Sequence, residues 1–275
     1  AWDYNRGGPV GWLKMDECQG ITANDASGKG NTGTITIGAT GTQSVLGTCS
    51  VGVGSTAAWG NGSVGKYNSS LSFDGTDDYV SSPITTSNGL DVKGPITYSV
   101  WFKRANSGTY QALISKLDTC TSAEADGFLI RFGTSNDLRF EGYKTGSVFT
   151  ASYTNSSLFA DTTNWHHAVA VWDGTTDTNG AKLYVDGKLA AQATSSASDF
   201  ISLNSYNQYI GTLPCNTQYF AGQIDDVRVY NYVRTAEQIA SDYQAGAYRT
   251  TVGTSVPSTW WTDGLVGYWN FDGKN

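Results

Sequence analysis

The chain of 275 residues has few of the residues that build helices or carry charge. Glu occurs only at Glu17, Glu124, Glu141 and Glu237, so 20 of the 24 acids are Asp, and Met15 is the single methionine. Charged residues make up 15% of the chain, against roughly 25% in an average domain. So little Glu, Lys and Met excludes a helical bundle or coiled coil. Lys and Arg number 17 and the net charge is −7, with no basic stripe, which excludes a nucleic-acid partner and an anionic-membrane surface. Apolar runs such as 168–172 fall far short of the ~20 residues that cross a bilayer, so membrane insertion is not expected. The two histidines, His166 and His167, are neighbours on a predicted strand, point to opposite faces, and cannot chelate one metal together.

What is present points the other way. Gly occurs 33 times, and 39% hydrophobic with 13% aromatic residues is enough to fill a core, which excludes intrinsic disorder. Asp, Gly, Asn, Ser and Thr are turn residues. At ~150 residues per domain the length suggests somewhat under two domains, but β-sandwiches of 200–250 residues are common. Residue 1 is not an initiator methionine, so the chain reads as a processed or excised piece. Cys18, Cys49, Cys120 and Cys215 form no C-x-x-C pair and stand at no zinc spacing from the histidines. Their even number and wide spacing fit structural disulfides in an oxidising compartment. Three pairings are open; Cys18–Cys49 with Cys120–Cys215 is the expected one, because each pair clips a long loop.

Apolar periodicity is two nearly throughout. Strands are predicted at 10–15, 34–37, 70–73, 78–80, 96–103, 127–132, 138–143, 165–172, 182–185, 188–193, 206–211 and 223–230. Asp186-Gly187 between two of these is a hairpin signal, since both residues accept positive φ. One helix is predicted. Thr235 and Gln238 form a capping box, Ile239 and Tyr243 share a face, and Gly246 is placed to end it. The ends repeat themselves: residues 8–16 (GPVGWLKMD) match 264–272 (GLVGYWNFD), and residues 1–7 (AWDYNRG) match 240–246 (ASDYQAG). The expected organisation is therefore the tail of a preceding repeat's helix at 1–7, one β-sandwich at 8–247, a linker at 248–263 and the first strand of a following repeat at 264–275.

Several motifs carry possible chemistry. Residues 28–33 (GKGNTG) spell G-x-G-x-x-G, but a strand follows instead of a helix, so no dinucleotide site is expected. The overlapping run from Asp25 to Asn31 offers the hard oxygens that Ca²⁺ takes, or else forms an Asx-turn loop without metal. Asp74, Asp77 and Asp78 form a second acidic cluster, Asp225 and Asp226 a third. On a regular strand those last two face opposite ways, and Asp225, on the apolar side, needs a cation or backbone donors. A glycosidase needs two carboxylates ~5–9.5 Å apart. The four Glu are isolated and no Glu-x-Asp-x-Glu occurs, so no catalytic residue is assigned and a non-enzyme is expected. His167 reads as a hydrogen-bonded core residue. Among the aromatics, Trp59, Tyr110, Tyr206 and Tyr219 fall in predicted loops and are the candidate ligand platforms.

Together these pieces resemble the laminin-G-like, concanavalin A-like jelly-roll domains of the pentraxin-related branch. The resemblance is carried by 12–17 (WLKMDE) followed by 25–33 (DASGKGNTG), by 71–80 (LSFDGTDDYV) and 96–102, by 165–169 (WHHAV) with 182–187 (KLYVDG), and by 220–230 (FAGQIDDVRVY) followed by 234–239 (RTAEQI). The order is the family's, over about 8–247. It implies an all-β sandwich of two curved antiparallel sheets with one short C-terminal helix, often with structural Ca²⁺. Carried over residue by residue, the ion's ligands would be Asp25, Asn31, Asp225 and Asp74. Glu17-Cys18-Gln19-Gly20 and a long insertion at 41–62 depart from the family pattern. The expected function is a non-catalytic adhesion or carbohydrate-binding module of a secreted or cell-surface tandem-repeat protein, with a glycan or surface protein as partner. The alternative is a structural spacer or assembly subunit in which residues 264–272 add to a neighbouring copy's sheet. A glycoside hydrolase is the third reading.

Overall fold

Alternating apolar residues build two antiparallel sheets in the computed structural model, which describes residues 7–249 except 52–53, 84–88, 92, 106–107, 121–124 and 200–205. The strands are β1 (Gly11–Leu13), β2 (Thr22–Ala23), β3 (Gly33–Thr36), β4 (Leu71–Asp74), β5 (Tyr79–Ser82), β6 (Ile96–Arg104), β7 (Gln111–Leu117), β8 (Asp126–Phe132), β9 (Asp137–Lys144), β10 (Ser147–Thr154), β11 (His166–Trp172), β12 (Ala181–Val185), β13 (Lys188–Ala193), β14 (Gln208–Ile210) and β15 (Ala221–Tyr230). Helices are the short α1 (Ala58–Asn61) and α2 (Ser156–Phe159), and α3 (Ala236–Arg249). One sheet runs β1-β15-β6-β11-β12-β13, with β4 also on β15; the other runs β10-β9-β8-β7-β14-β5-β3-β2. Their inner faces meet in one core, where Phe128 lies 5.7 Å from Trp172 and Phe102 lies 5.3 Å from Phe132. This is the jelly-roll sandwich that the sequence leads one to expect. The repeat expected at 264–275 lies outside the described residues.

Strands β2, β7 and β10 have no counterpart among the expected strands. Residues of β7 (QALISKL) are buried on both sides, so its sequence shows no alternation. Its outer side is covered by the loop that Cys215 ties to Cys120, and Ala112, Leu117, Leu129, Tyr143 and Leu213 form a second small cluster there. The polar alternation of β10 is carried by Ser and Thr, which are also turn residues.

The expected Asp225/Asp226 alternation is overturned. The register of β15 against β6 slips between Asp225 and Arg228, and Asp226 has φ of 49°. This is a β-bulge, which adds one residue and re-aims the side chains around it. Ile224, Val227 and Val229 all enter the core, and Asp225 and Asp226 both lie on the outer side of the seven-stranded sheet.

Helix α3 covers part of that outer side. Thr235 N–H donates to Gln238 Oε1 at 2.9 Å and Gln238 N–H returns a bond to Thr235 Oγ1 at 3.3 Å, the expected capping box. Ile239 is buried with Val169, Val171 and Tyr184, and Tyr243 stacks on Trp101 at 5.6 Å. His167 lies in the same layer, 4.7 Å from the Trp101 ring, with its Nε2 2.8 Å from Ser99 Oγ. Gly246 does not end the helix, which continues to Arg249. A Cβ there would stand 2.4 Å from the Trp101 ring and 2.6 Å from the Tyr67 hydroxyl, so close packing demands the glycine.

The disulfides are Cys18–Cys49 and Cys120–Cys215, as expected, closing spans of 31 and 95 residues. Loop-closure entropy assigns them roughly 3.7 and roughly 4.7 kcal/mol. Replacing both Cys120 and Cys215 by Ser is therefore expected to lower the melting temperature more than replacing both Cys18 and Cys49, as thermal melts would show.

Candidate functional site

The four expected calcium ligands do not converge. Asp25 follows β2 and faces β1. Its Oδ1 accepts the N–H groups of Trp12 and Ser27, both at 2.9 Å, and its Oδ2 accepts Ser27 Oγ at 2.7 Å and Asn31 N–H at 2.8 Å. Burial alone would raise its pKa, but these four donors outweigh burial and hold it below the usual carboxylate value. A carboxylate has about four lone-pair sites, and all are taken. Asp25 is thus an Asx-turn residue and is not presented to a cation. The Asn31 side-chain amide donates to Val10 C=O, a contact within the chain.

Asp74 belongs elsewhere. Its Oδ1 accepts Thr76 N–H and its Oδ2 accepts Gln43 N–H. Asp74, Asp77 and Asp78 bring carboxylate oxygens within 4.8 Å of one another. They bind the start of the 41–62 insertion: Asp78 accepts Gly38 N–H at 3.1 Å, and Gly41, with φ of 83°, has no room for a Cβ against Asp74. Burial, reinforced by Asp74 and Asp77, pushes Asp78 up to about 7.

Asp225 keeps an opening. Its Oδ2 accepts Tyr67 N–H at 2.8 Å, while its Oδ1, wholly shielded from solvent, has no hydrogen-bond partner. Burial, with Asp226 and Asp16 nearby, pushes it up to about 9. Of the four expected ligands, Asp225 is therefore the one with an unengaged carboxylate oxygen; Asp226 and Asp16 are its acidic neighbours and Lys66 its basic one.

The candidate platforms also separate. Trp59 is a correction: it lies on α1, wholly buried, with its indole N–H donating to Gly20 C=O at 3.1 Å, so no ligand can reach the ring. Tyr110 and Tyr206 are 41% and 42% exposed. Tyr219 is half-buried near Tyr79 and the Asp77–Asp78 turn.

The outer face of the eight-stranded sheet supplies a setting for Tyr110. Phe128, Ile130 and Phe132 of β8 and Leu138 and Phe140 of β9 point into the core, so Arg131, Asp137, Arg139 and Glu141 point out. Arg131 and Arg139 are directly opposite each other, a like-charge pair that would repel. Glu141 resolves this: its carboxylate lies 2.8 Å from Arg131 Nε and 4.0 Å from Arg139 NH1. Arg139 also pairs with Asp137, which accepts Ser152 Oγ at 3.1 Å. Burial would raise the Asp137 pKa, but the hydrogen bonds from Arg139 and Ser152 outweigh it and hold it low. The Arg131 guanidinium lies over the Tyr110 ring at 5.0 Å and donates to Gln218 at 3.2 Å, from the loop that Cys215 anchors. Farther along the same face, Tyr79 and Tyr209 meet at 5.9 Å. The array is rigid, charge-balanced and bordered by an exposed aromatic ring. Among the expected residues only Tyr110 belongs to it. The D-x-R-x-E alternation on β9 (Asp137, Arg139, Glu141) was the available signal for the rest.

The profile of the Concanavalin A-like lectin/glucanases superfamily matches residues 74–240. Solved structures of similar fold include the binding domain of Botulinum neurotoxin DC in complex with rat synaptotagmin II, at TM-score 0.58 and 12% identity over 88% of this chain and 52% of that one. Domain 4 of an extracellular GH43 arabinanase from Geobacillus stearothermophilus, in complex with arabinotriose, gives 0.51 and 17% over 86% and 98%. The Ruminococcus gnavus IT-sialidase CBM40 bound to alpha2,3 sialyllactose gives 0.50 and 13% over 63% and 96%. This chain spans about half the length of the neurotoxin chains, and at these identities the likeness establishes the fold. A search of curated protein sequences finds no match.

Asp78 and Asp225 set an unusual pH dependence. Both have folded pKa values above the unfolded 3.8, so their contribution is full below about pH 4 and is lost as pH rises through about 7 and about 9. Melting temperatures measured without added metal are expected to fall between pH 5 and pH 10. Asp225→Asn should flatten the upper part of that fall.

Proposed function

The chain belongs to the Concanavalin A-like lectin/glucanases superfamily, and from that premise we propose a non-catalytic module that binds a glycan on the outer face of its eight-stranded sheet. The observation that carries this reading is the Arg131–Glu141–Arg139–Asp137 array beside exposed Tyr110. Planar guanidinium and carboxylate groups, fixed by one another, give paired donors and acceptors matching adjacent sugar hydroxyls, and the ring offers a surface for C–H groups. The glycans in the arabinanase-domain and CBM40 structures support the ligand class. Two disulfides fit a secreted or cell-surface setting, and no described helix is long and apolar enough to cross a membrane.

Calcium is part of the proposal. Asp225 would offer its open oxygen, with Asp16 and Asp226 the carboxylates whose charge the ion offsets. When bound, the ion would hold Asp225 ionised and fix the 65–67 turn against β15. The strand-addition alternative meets an obstacle at β1. The outward Trp12 N–H is taken by Asp25, Trp12 C=O by Ala26 N–H at 2.8 Å, and Val10 C=O by Ser27 and Asn31.

Two experiments test these readings. Tyr110→Ala and Arg139→Ala are each expected to weaken binding of whichever glycan an array identifies by about tenfold; the melting temperature should hold in Tyr110→Ala and fall in Arg139→Ala, which leaves buried Asp137 without its ion pair. Wild-type affinity in both would move the site elsewhere. Adding EDTA is expected to lower the melting temperature of the native chain but not of Asp225→Asn; no change in either would remove the calcium proposal.

A further inference from the structure

The opposite side of the molecule carries a cavity of about 410 Å³, on the outer face of the seven-stranded sheet beside α3. That volume lies in the range of small-molecule sites, roughly 300–1,000 Å³. Two rows of side chains wall it. After the bulge, Asp226, Arg228 and Tyr230 share one face of β15, and Tyr232 and Arg234 continue the row beyond the strand. Trp12, Lys14 and Asp16, at the same period of two, come from β1 and its continuation.

The wall is fixed before any ligand arrives. Asp226 accepts the Trp12 indole N–H at 2.5 Å and pairs with Arg228 at 2.7 Å. Arg234 pairs with Asp242 of α3. Arg228 and Lys14 each lie 4.7 Å from the Trp12 ring, and Arg234 lies 4.7 Å from that of Tyr230. Asp16 accepts Asn68 Nδ2 at 3.0 Å and Ser69 N–H at 3.3 Å. Three acids (Asp16, Asp226, Asp242) face three bases (Lys14, Arg228, Arg234), so the wall has no net charge. The cations that reach the opening are Lys14, which is exposed, and Arg228, whose side chain is part-exposed.

A cation would meet the three bases and an anion the three acids, with no net attraction for either. What the wall suits is an uncharged ligand with hydroxyl oxygens for the Lys14 ammonium and the part-exposed Arg228 guanidinium, hydroxyl protons for the remaining carboxylate lone pairs, and C–H faces for the rings. We propose that this cavity is a second saccharide site, independent of the Tyr110 face, that takes one or two rings of a neutral sugar.

The test uses the full chain, ¹⁵N-labelled, titrated to the solubility limit with cellobiose, maltose, lactose and 3′-sialyllactose. The readout is the Trp12 indole N–H signal, assigned by its disappearance in Trp12→Phe. At least one neutral disaccharide is expected to move that signal saturably, and sialyllactose to leave it in place. Asp242→Asn and Arg234→Gln should weaken the effect by about tenfold each. Tyr110→Ala should leave it unchanged, which separates this site from the other face. If no neutral disaccharide moves the Trp12 signal, or if sialyllactose moves it as well as they do, the proposal is overturned. Undiminished binding in both Asp242→Asn and Arg234→Gln would overturn it equally.

Discussion

The single extra residue in β15 is the constraint on which most of this molecule depends. β15 pairs with β1, β4 and β6, so its register sets three interfaces at once. A regular strand through Ile224–Val229 could not send Ile224, Val227 and Val229 into the same core. The bulge does so, and its cost is two adjacent aspartates on the outer side. Asp225 is then enclosed by the 65–67 turn and the Trp101–Tyr243 stack, while Asp226 is turned toward Trp12 and Arg228. Core packing thus dictates where the buried charge sits, and the outer layer answers it with stacked rings, cations and a helix.

The two outer faces meet water differently. On the seven-stranded sheet, α3 and the Tyr67 turn leave a recess between layers. On the eight-stranded sheet, one side is sealed by the loop tied through Cys215, and the rest is an ion-paired surface across β8 and β9. Like-charged Arg131 and Arg139 face each other there, tolerated because Glu141 lies within reach of both.

Much of this was legible in the sequence. Strands with one wet face, such as β3 and β5, alternate clearly, β6 shows through its β-branched and aromatic residues although it is buried on both sides, and the Thr235–Gln238 cap marks the start of α3. Burial on both sides hides β7, because alternation needs a solvent face. The site residues were harder to place. Period two assigned Asp225 and Asp226 to opposite faces, and only a positive φ at Asp226, which no side chain announces, reverses that. The oxygens of Asp25 suit a cation, yet its role is fixed by four donors that become its neighbours only in three dimensions. Trp59 sat among glycines and looked like a loop ring, when it is a plug between the insertion and the core. Gly246 likewise stands where its residue type predicts a helix stop, but what it provides is room for Trp101.

The Asp25 loop has a consequence for how copies of such a domain behave when crowded. β1 lies at a sheet margin, and the same strand motif recurs at 264–272. Exposed margins with matching partners invite chains to zip together. Here the margin is already bonded to its own loop, through one carboxylate and two small polar side chains. A second strand of this type arriving at that margin finds its outward hydrogen-bonding groups already taken.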